Sequence, residues 1–135
     1  MNRMKRGQTF LALVFLIGGV VILIGLTLVF LANTFVDTGY GYQASIQAEA
    51  VAASGVRDAL LLLGRISGAS LPGSYTVPVG SSTATVTITQ NSPSAGLITV
   101  LSTATVSNRA RKISVVAAID ASTGQVSVIS WQATQ

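Results

Sequence analysis

Thirty consecutive residues, Gly7 to Val36, carry no charge. Within Thr9 to Val36, 21 of 28 residues are hydrophobic. A bilayer core needs about 20 apolar residues at about 1.5 Å rise each. The run is long enough to span a membrane, with a little left at the outer face. It is apolar all round, with no polar stripe, as a lipid-exposed helix should be. A buried core helix is excluded by size, because a chain of 135 residues cannot enclose it.

Charge sets the orientation. Arg3, Lys5 and Arg6 precede the run, and the positive-inside bias keeps them in the cytoplasm. The rest of the chain then lies outside. A conventional secretory signal has an apolar stretch of about 7–15 residues and a small-residue cleavage site behind it. Around Leu31-Ala32-Asn33-Thr34 there is no such site, so the segment reads as an anchor.

Composition narrows the chemistry. Half the residues are hydrophobic and 9% are charged, which excludes a disordered chain. There is no His and no Cys, and the four acids are Asp37, Glu49, Asp58 and Asp120. His-based triads, thiol chemistry, disulfides and most metal sites are ruled out. The acids are far apart in sequence, no Ser has a usable general base, and no Gly-rich phosphate loop follows a strand. No catalytic residue, no cofactor and no metal is expected. The net charge of +4 suggests nucleic acid at first sight. Three of the eight bases lie before Gly7, however, and five bases against four acids behind it leave +1.

Met1-Asn2-Arg3-Met4-Lys5-Arg6-Gly7, followed by Gln8-Thr9-Phe10-Leu11, resembles the leader of type IV prepilins. That leader is short and basic, ends in Gly, and is cut before the apolar segment. Gln47-Ala48-Glu49-Ala50-Val51-Ala52-Ala53-Ser54-Gly55-Val56-Arg57-Asp58-Ala59-Leu60 is similar to the second half of the helix in pilin-like proteins of the PilX type. The resemblance implies a PilX-like minor pilin or an unusual major pilin. It implies cleavage by a prepilin peptidase between Gly7 and Gln8, methylation at the new amino terminus of Gln8, and handling by pilus assembly machinery. The expected localisation is the cytoplasmic (inner) membrane as a single span with its N-terminus inside, then an extracellular pilus. Partners would be membrane lipid first, then copies of the chain or other pilins in a helical filament. Phe10, Leu13, Phe15, Gly18, Gly25 and Phe30 are the expected assembly residues. Gly18 and Gly25, seven apart, would permit close helix packing, although glycine is common in membrane helices anyway.

One position departs from the family. Pilins commonly have Glu as the fifth mature residue, which here is Ala12, and the span holds no other acid. An unpaired buried ammonium is costly, so the amino terminus needs another partner or water. A permanent single-pass anchor, carrying an accessory or binding module of the cell envelope or a secretion system, is the alternative reading.

Thr38-Gly39-Tyr40-Gly41-Tyr42 follows the span. Two glycines cost about 1 kcal/mol each in a helix, so a kink or local break at Gly39 and Gly41 is expected. It would be either a melting point for assembly or an ordinary membrane-exit linker. From Gln43 to Arg65 the pattern is amphipathic, and Ile46, Ala50, Ala53, Val56, Leu60 and Leu63 share one face. Small residues such as Ala48 and Ala52 would let a sheet or helix approach closely. Gly64, Ser67-Gly68 and Leu71-Pro72-Gly73 end the helix.

Beyond Ser74 the period becomes two. Alternation runs through Tyr75–Val79, Ala84–Thr89, Ile98–Val106, Lys112–Asp120 and Val126–Val128, with turn residues between. From Tyr75 to Gln135, 20 of 61 residues are Ser or Thr. The expected fold class is α+β: a long N-terminal transmembrane or filament-core helix, packed by its second half against a C-terminal antiparallel meander. The divisions are a leader (1–7), span (8–36), amphipathic helix (37–66) and sheet headgroup (67–135). Arg109, Arg111 and Lys112 make one basic cluster, either a DNA contact or a solvated turn; three charges bind phosphate only feebly. Trp131 is either an adhesive aromatic for surface binding or a strand-edge packing residue.

Overall fold

The computed structural model describes residues 2–66, 71–120 and 122–134, with side chains from residue 9 onward. Ser67 and Gly68, expected in the helix stop, lie outside the described residues. Helix α1 runs Asn2–Arg65. Five strands follow: β1 (Ser74–Val79), β2 (Ser82–Gln90), β3 (Leu97–Val106), β4 (Arg109–Ile119) and β5 (Val126–Thr134). Each strand pairs antiparallel with the next, in the order β1-β2-β3-β4-β5. The chain divides into two compact units, Met1–Tyr40 and Gly41–Gln135. The first is helix alone. The second holds the rest of α1 and the whole sheet.

The expected helix break does not form. Gly39 and Gly41 are both helical. Opening the helix there would break several backbone hydrogen bonds worth about 0.5–1.5 kcal/mol each. That outweighs the propensity cost of two glycines. In the second unit, the Arg109 guanidinium also lies over Gly41. A Cβ at Gly41 would stand 3.1 Å from Arg109 Nη2.

The meander is built from local chemistry. Ser107 and Asn108 both have positive φ, at 45° and 64°, and close the β3–β4 hairpin in two residues. Mirror-image turns of this type match strand twist. Asp120 builds the β4–β5 connection by accepting from Ser122 N at 2.8 Å and Ser122 Oγ at 2.6 Å. These donors hold the Asp120 carboxyl below the usual carboxylate range, the Ser122 hydroxyl contributing most.

Alternation puts Val86, Ile88, Val100, Ile113, Val115 and Ala117 on the covered face of the sheet. Within the second unit, α1 covers that face with Ala44, Ala48, Val51, Ala52, Val56, Ala59 and Leu63. This differs from the face expected from the larger apolar residues. Val56 and Leu63 are buried as expected, Ala53 and Leu60 are half-buried, and Ile46 and Ala50 are exposed. The reason is distance. A Cβ on Gly55 would lie 2.5 Å from Ser102 Oγ, 2.9 Å from Ala84 Cβ and 3.0 Å from Val86 Cγ2. A helix this close to a sheet presents small residues at the point of closest approach, around Gly55, while Ile46 and Leu61 turn outward.

Candidate assembly surface

In the first unit, every side chain from Thr9 to Tyr40 is exposed. Phe10, Leu13, Phe15 and Phe30 are among 19 large apolar side chains left uncovered between Phe10 and Val36. Burying one such side chain is worth about 1.5–3 kcal/mol. The whole set therefore represents tens of kcal/mol, and water cannot be its resting solvent. The helix is long and apolar enough to cross a membrane. Its hydroxyls fit that setting. Thr27 Oγ1 donates to Ile24 O at 2.8 Å, Thr34 Oγ1 to Phe30 O at 3.0 Å, and Thr38 Oγ1 to Thr34 O at 2.8 Å. Each hydroxyl is satisfied by its own helix, as an apolar solvent requires.

A Cβ at Gly18 or Gly25 would meet nothing within 4 Å, so packing within the chain does not ask for glycine there. The backbone of Gly7 and Gln8 lies within α1. The side chains there, and with them the expected processing and methylation at Gln8, lie outside the described residues.

The three cations of strand β4 do not form one cluster. Arg109 and Arg111 alternate with Lys112 along β4, which puts the arginines on the helix side and the lysine on the outer face. Arg111 Nε donates to Ser45 Oγ at 2.7 Å, and Arg111 Nη2 reaches the same oxygen. Arg109 packs over Gly41. Both arginines are engaged with the start of the second unit's helix, and Lys112 is the one charged residue on the outer face of the strands. That face is otherwise rich in hydroxyls. Thr83, Thr85, Thr103 and Thr105 on it line an open hollow of about 710 Å³, which Ser82 borders from the end of β2. Such a surface gives no electrostatic steering toward phosphate.

Trp131 sits in edge strand β5, opposite Val115, and is 46% exposed. With Val126 and Val128 it lies on the helix side of the sheet, because their partners Val115, Ala117 and Ile119 do. Val128 borders an open apolar groove of about 460 Å³ shared with Arg57, Leu60, Leu61 and Val126.

Two buried polar atoms complete the unit. Ser102 Oγ is fully buried and Tyr75 Oη is buried, and neither has a hydrogen-bond partner among the described residues. Burial pushes the Tyr75 phenol up to about 12, and the nearby Asp58 carboxylate adds to the rise. Asp58 lies close enough to oppose ionisation of Tyr75 without making a hydrogen bond of regular geometry. Ser45, Gly55, Ser102 and the groove around Arg57 escape a reading of the sequence. Ser102 alone had a signal, since it falls in phase with Val100 and Ala104.

Comparison with protein-family models, curated proteins and solved structures finds no match to this chain.

Proposed function

We propose that the protein is a structural subunit of a type IV pilus or a related extracellular filament. The observation that carries the reading is the fully exposed apolar helix from Thr9 to Val36. It stands directly behind a basic stretch ending in Gly7 and leads into the helix half that carries the sheet. A prepilin peptidase would cut between Gly7 and Gln8, and Gln8 would be methylated. The chain would wait in the cytoplasmic membrane with its N-terminus inside. It would then pass into the filament, exchanging lipid for the apolar helices of other subunits. Little burial is lost in that exchange, which makes it reversible in principle. The thinly charged, Ser/Thr-rich outer face of the sheet suits a filament exterior. The role is structural rather than enzymatic.

Shearing cells and collecting the released filaments tests this reading. The protein should appear in the sheared fraction, and substitution of Gly7 should abolish its appearance there. Recovery solely in the membrane fraction, with or without Gly7, would refute it. A second reading, a permanent membrane-anchored accessory protein, is favoured by one observation: Ala12 stands where an acid would neutralise a neighbour's amine.

A further inference from the structure

Strand β4 opens with two arginines on its helix side, and both reach the first turn of the second unit's helix. The Arg109 guanidinium lies against Gly41: a Cβ there would stand 3.1 Å from Nη2, 3.6 Å from Nε and 3.7 Å from Cζ. Arg111 donates to Ser45 Oγ through Nε at 2.7 Å and also through Nη2. Two registers fix how far apart these groups stand. Positions 109 and 111 are two residues apart on a strand, or about 7 Å. Positions 41 and 45 are one turn apart on a helix, or about 6 Å. One phosphate fits between guanidinium groups at that spacing, with each fork donating to its oxygens.

Packing within the chain does not require these charges. Arg109 is exposed and forms no hydrogen bond with a described residue. Arg111 is half-buried and keeps its remaining N–H groups open. Ser45 needs neither arginine, since a helical serine can bond the carbonyl four residues back, as Ser54 does with Ala50. Asp37 and Glu49 stand one turn to either side of Gly41 and Ser45. Neither acid forms an ion pair with a described residue.

Chain length alone brings the two arginines to the level of lipid headgroups. Phe35 and Val36 are the last large apolar pair of the span, and Asp37 is the first charge after it. Gly41 comes five residues after Val36, and the helix between them rises about 7.5 Å. The polar layer on each side of the ~30 Å hydrocarbon core is itself roughly 5–8 Å deep. Tyr42, exposed beside Gly41, is of the residue type that marks this layer.

We infer that Arg109 and Arg111 clamp the phosphate of an anionic phospholipid, of the phosphatidylglycerol class, on the side of the membrane that bears the sheet. The inference rests on the membrane span, and needs neither the filament nor a choice of side. Two charges hold phosphate only feebly in free solution. Here the span keeps lipid alongside, so the encounter is in effect intramolecular. Each arginine near the membrane surface is worth about fivefold in affinity. A zwitterionic lipid carries its own ammonium, which offsets that attraction.

Full-length chain in detergent micelles, stripped of lipid, is titrated with an equimolar mixture of phosphatidylglycerol and phosphatidylcholine. Bound lipid is read by native mass spectrometry. The wild type should favour phosphatidylglycerol by roughly 25-fold, and R109Q and R111Q should each lower that ratio about fivefold. K112Q, on the outer face, should leave it unchanged. R111K keeps the charge but loses the fork, and should fall between. Equal ratios for the wild type and both glutamine variants would overturn the inference. So would a loss in K112Q as large as that in R109Q. Trp131 emission checks the fold; if R111Q unfolds, R109Q decides alone, because Arg109 bonds no described residue.

Competitors identify the source of the phosphate. Inorganic phosphate or a short DNA duplex, at the concentration of the lipid, should displace none of it. Displacement by either would assign the arginines to a soluble anion or to DNA and overturn the lipid clamp. Flotation with phosphatidylcholine vesicles tests the span separately. A chain that floats but shows no lipid preference sinks the clamp alone. A chain that stays behind sinks the span on which the clamp rests.

Discussion

Gly55 is where a single methyl group should tell most about the headgroup. On the helix alone, Gly55→Ala should stabilise by about 1 kcal/mol. The sheet opposes it. The new Cβ would meet Ser102 Oγ at 2.5 Å, Ala84 Cβ at 2.9 Å and Val86 Cγ2 at 3.0 Å. Ser102 can rotate its hydroxyl away, but Ala84 has nothing to rotate and Val86 is stiff. The helix must then lift by several tenths of an ångström, which weakens dispersion along the whole interface. Overpacking of this kind costs about 1–3 kcal/mol. With three atoms met at once the upper part of that range applies, and the net effect should be a loss of about 1–2 kcal/mol. Gly64→Ala is the matched control, since its Cβ would meet nothing within 4 Å. It should leave stability unchanged or raise it by up to about 1 kcal/mol. The assay is denaturant unfolding of the full chain in detergent micelles, followed by fluorescence of Trp131, the single tryptophan. In a thermal scan, each kcal/mol should move Tm by roughly 4–8 °C for a unit of this size. Gly55→Ala as stable as the wild type, or more stable, would refute the close-packed interface.

Three further outcomes follow from the same geometry. Ser102→Ala removes a buried hydroxyl with no partner among the described residues, so it should keep or raise stability; a clear loss would reveal a bonded hydroxyl. The Tyr75 phenol is raised to about 12 in the folded chain, against about 10 unfolded. The neutral form is thus favoured by folding: its contribution is complete below about pH 10 and is lost between pH 10 and 12. Tyr75→Phe should flatten that alkaline limb of the unfolding profile, and an unchanged limb would contradict the assignment. Gly39→Ala meets no atom within 4 Å in a helical position and should strengthen the helix by up to about 1 kcal/mol. If the glycine serves assembly by melting, sheared-filament yield should fall even so; unchanged yield would leave Gly39 as a plain exit residue.

The strands were legible because a half-buried sheet imposes a period of two. Thr83 to Thr89 and Ile98 to Val106 state it directly. The helix face was harder. Weighing side chains by size picks out Ile46 and Leu60, whereas close approach to a sheet selects Ala48, Ala52 and Gly55. That selection depends on a distance, which no residue count contains. Strand β5 was expected near Val126–Val128 and runs to Thr134. A bulge is the cause. Ala117 pairs with Val128 but Val116 pairs with Ser130, so Ile129 is an extra residue and the alternation changes phase. The basic run Arg109-Ala110-Arg111-Lys112 looks like one patch in sequence. On a strand, neighbours face opposite ways, and the arginines are drawn to Gly41 and Ser45.

The central claim is that the apolar helix is released from a leader and built into a filament. Intact mass and N-terminal sequencing of the exported protein test it most directly. A chain beginning at Gln8, with a methyl group on its amine, is the predicted result. A chain that begins at Met1 and stays in the membrane would contradict it.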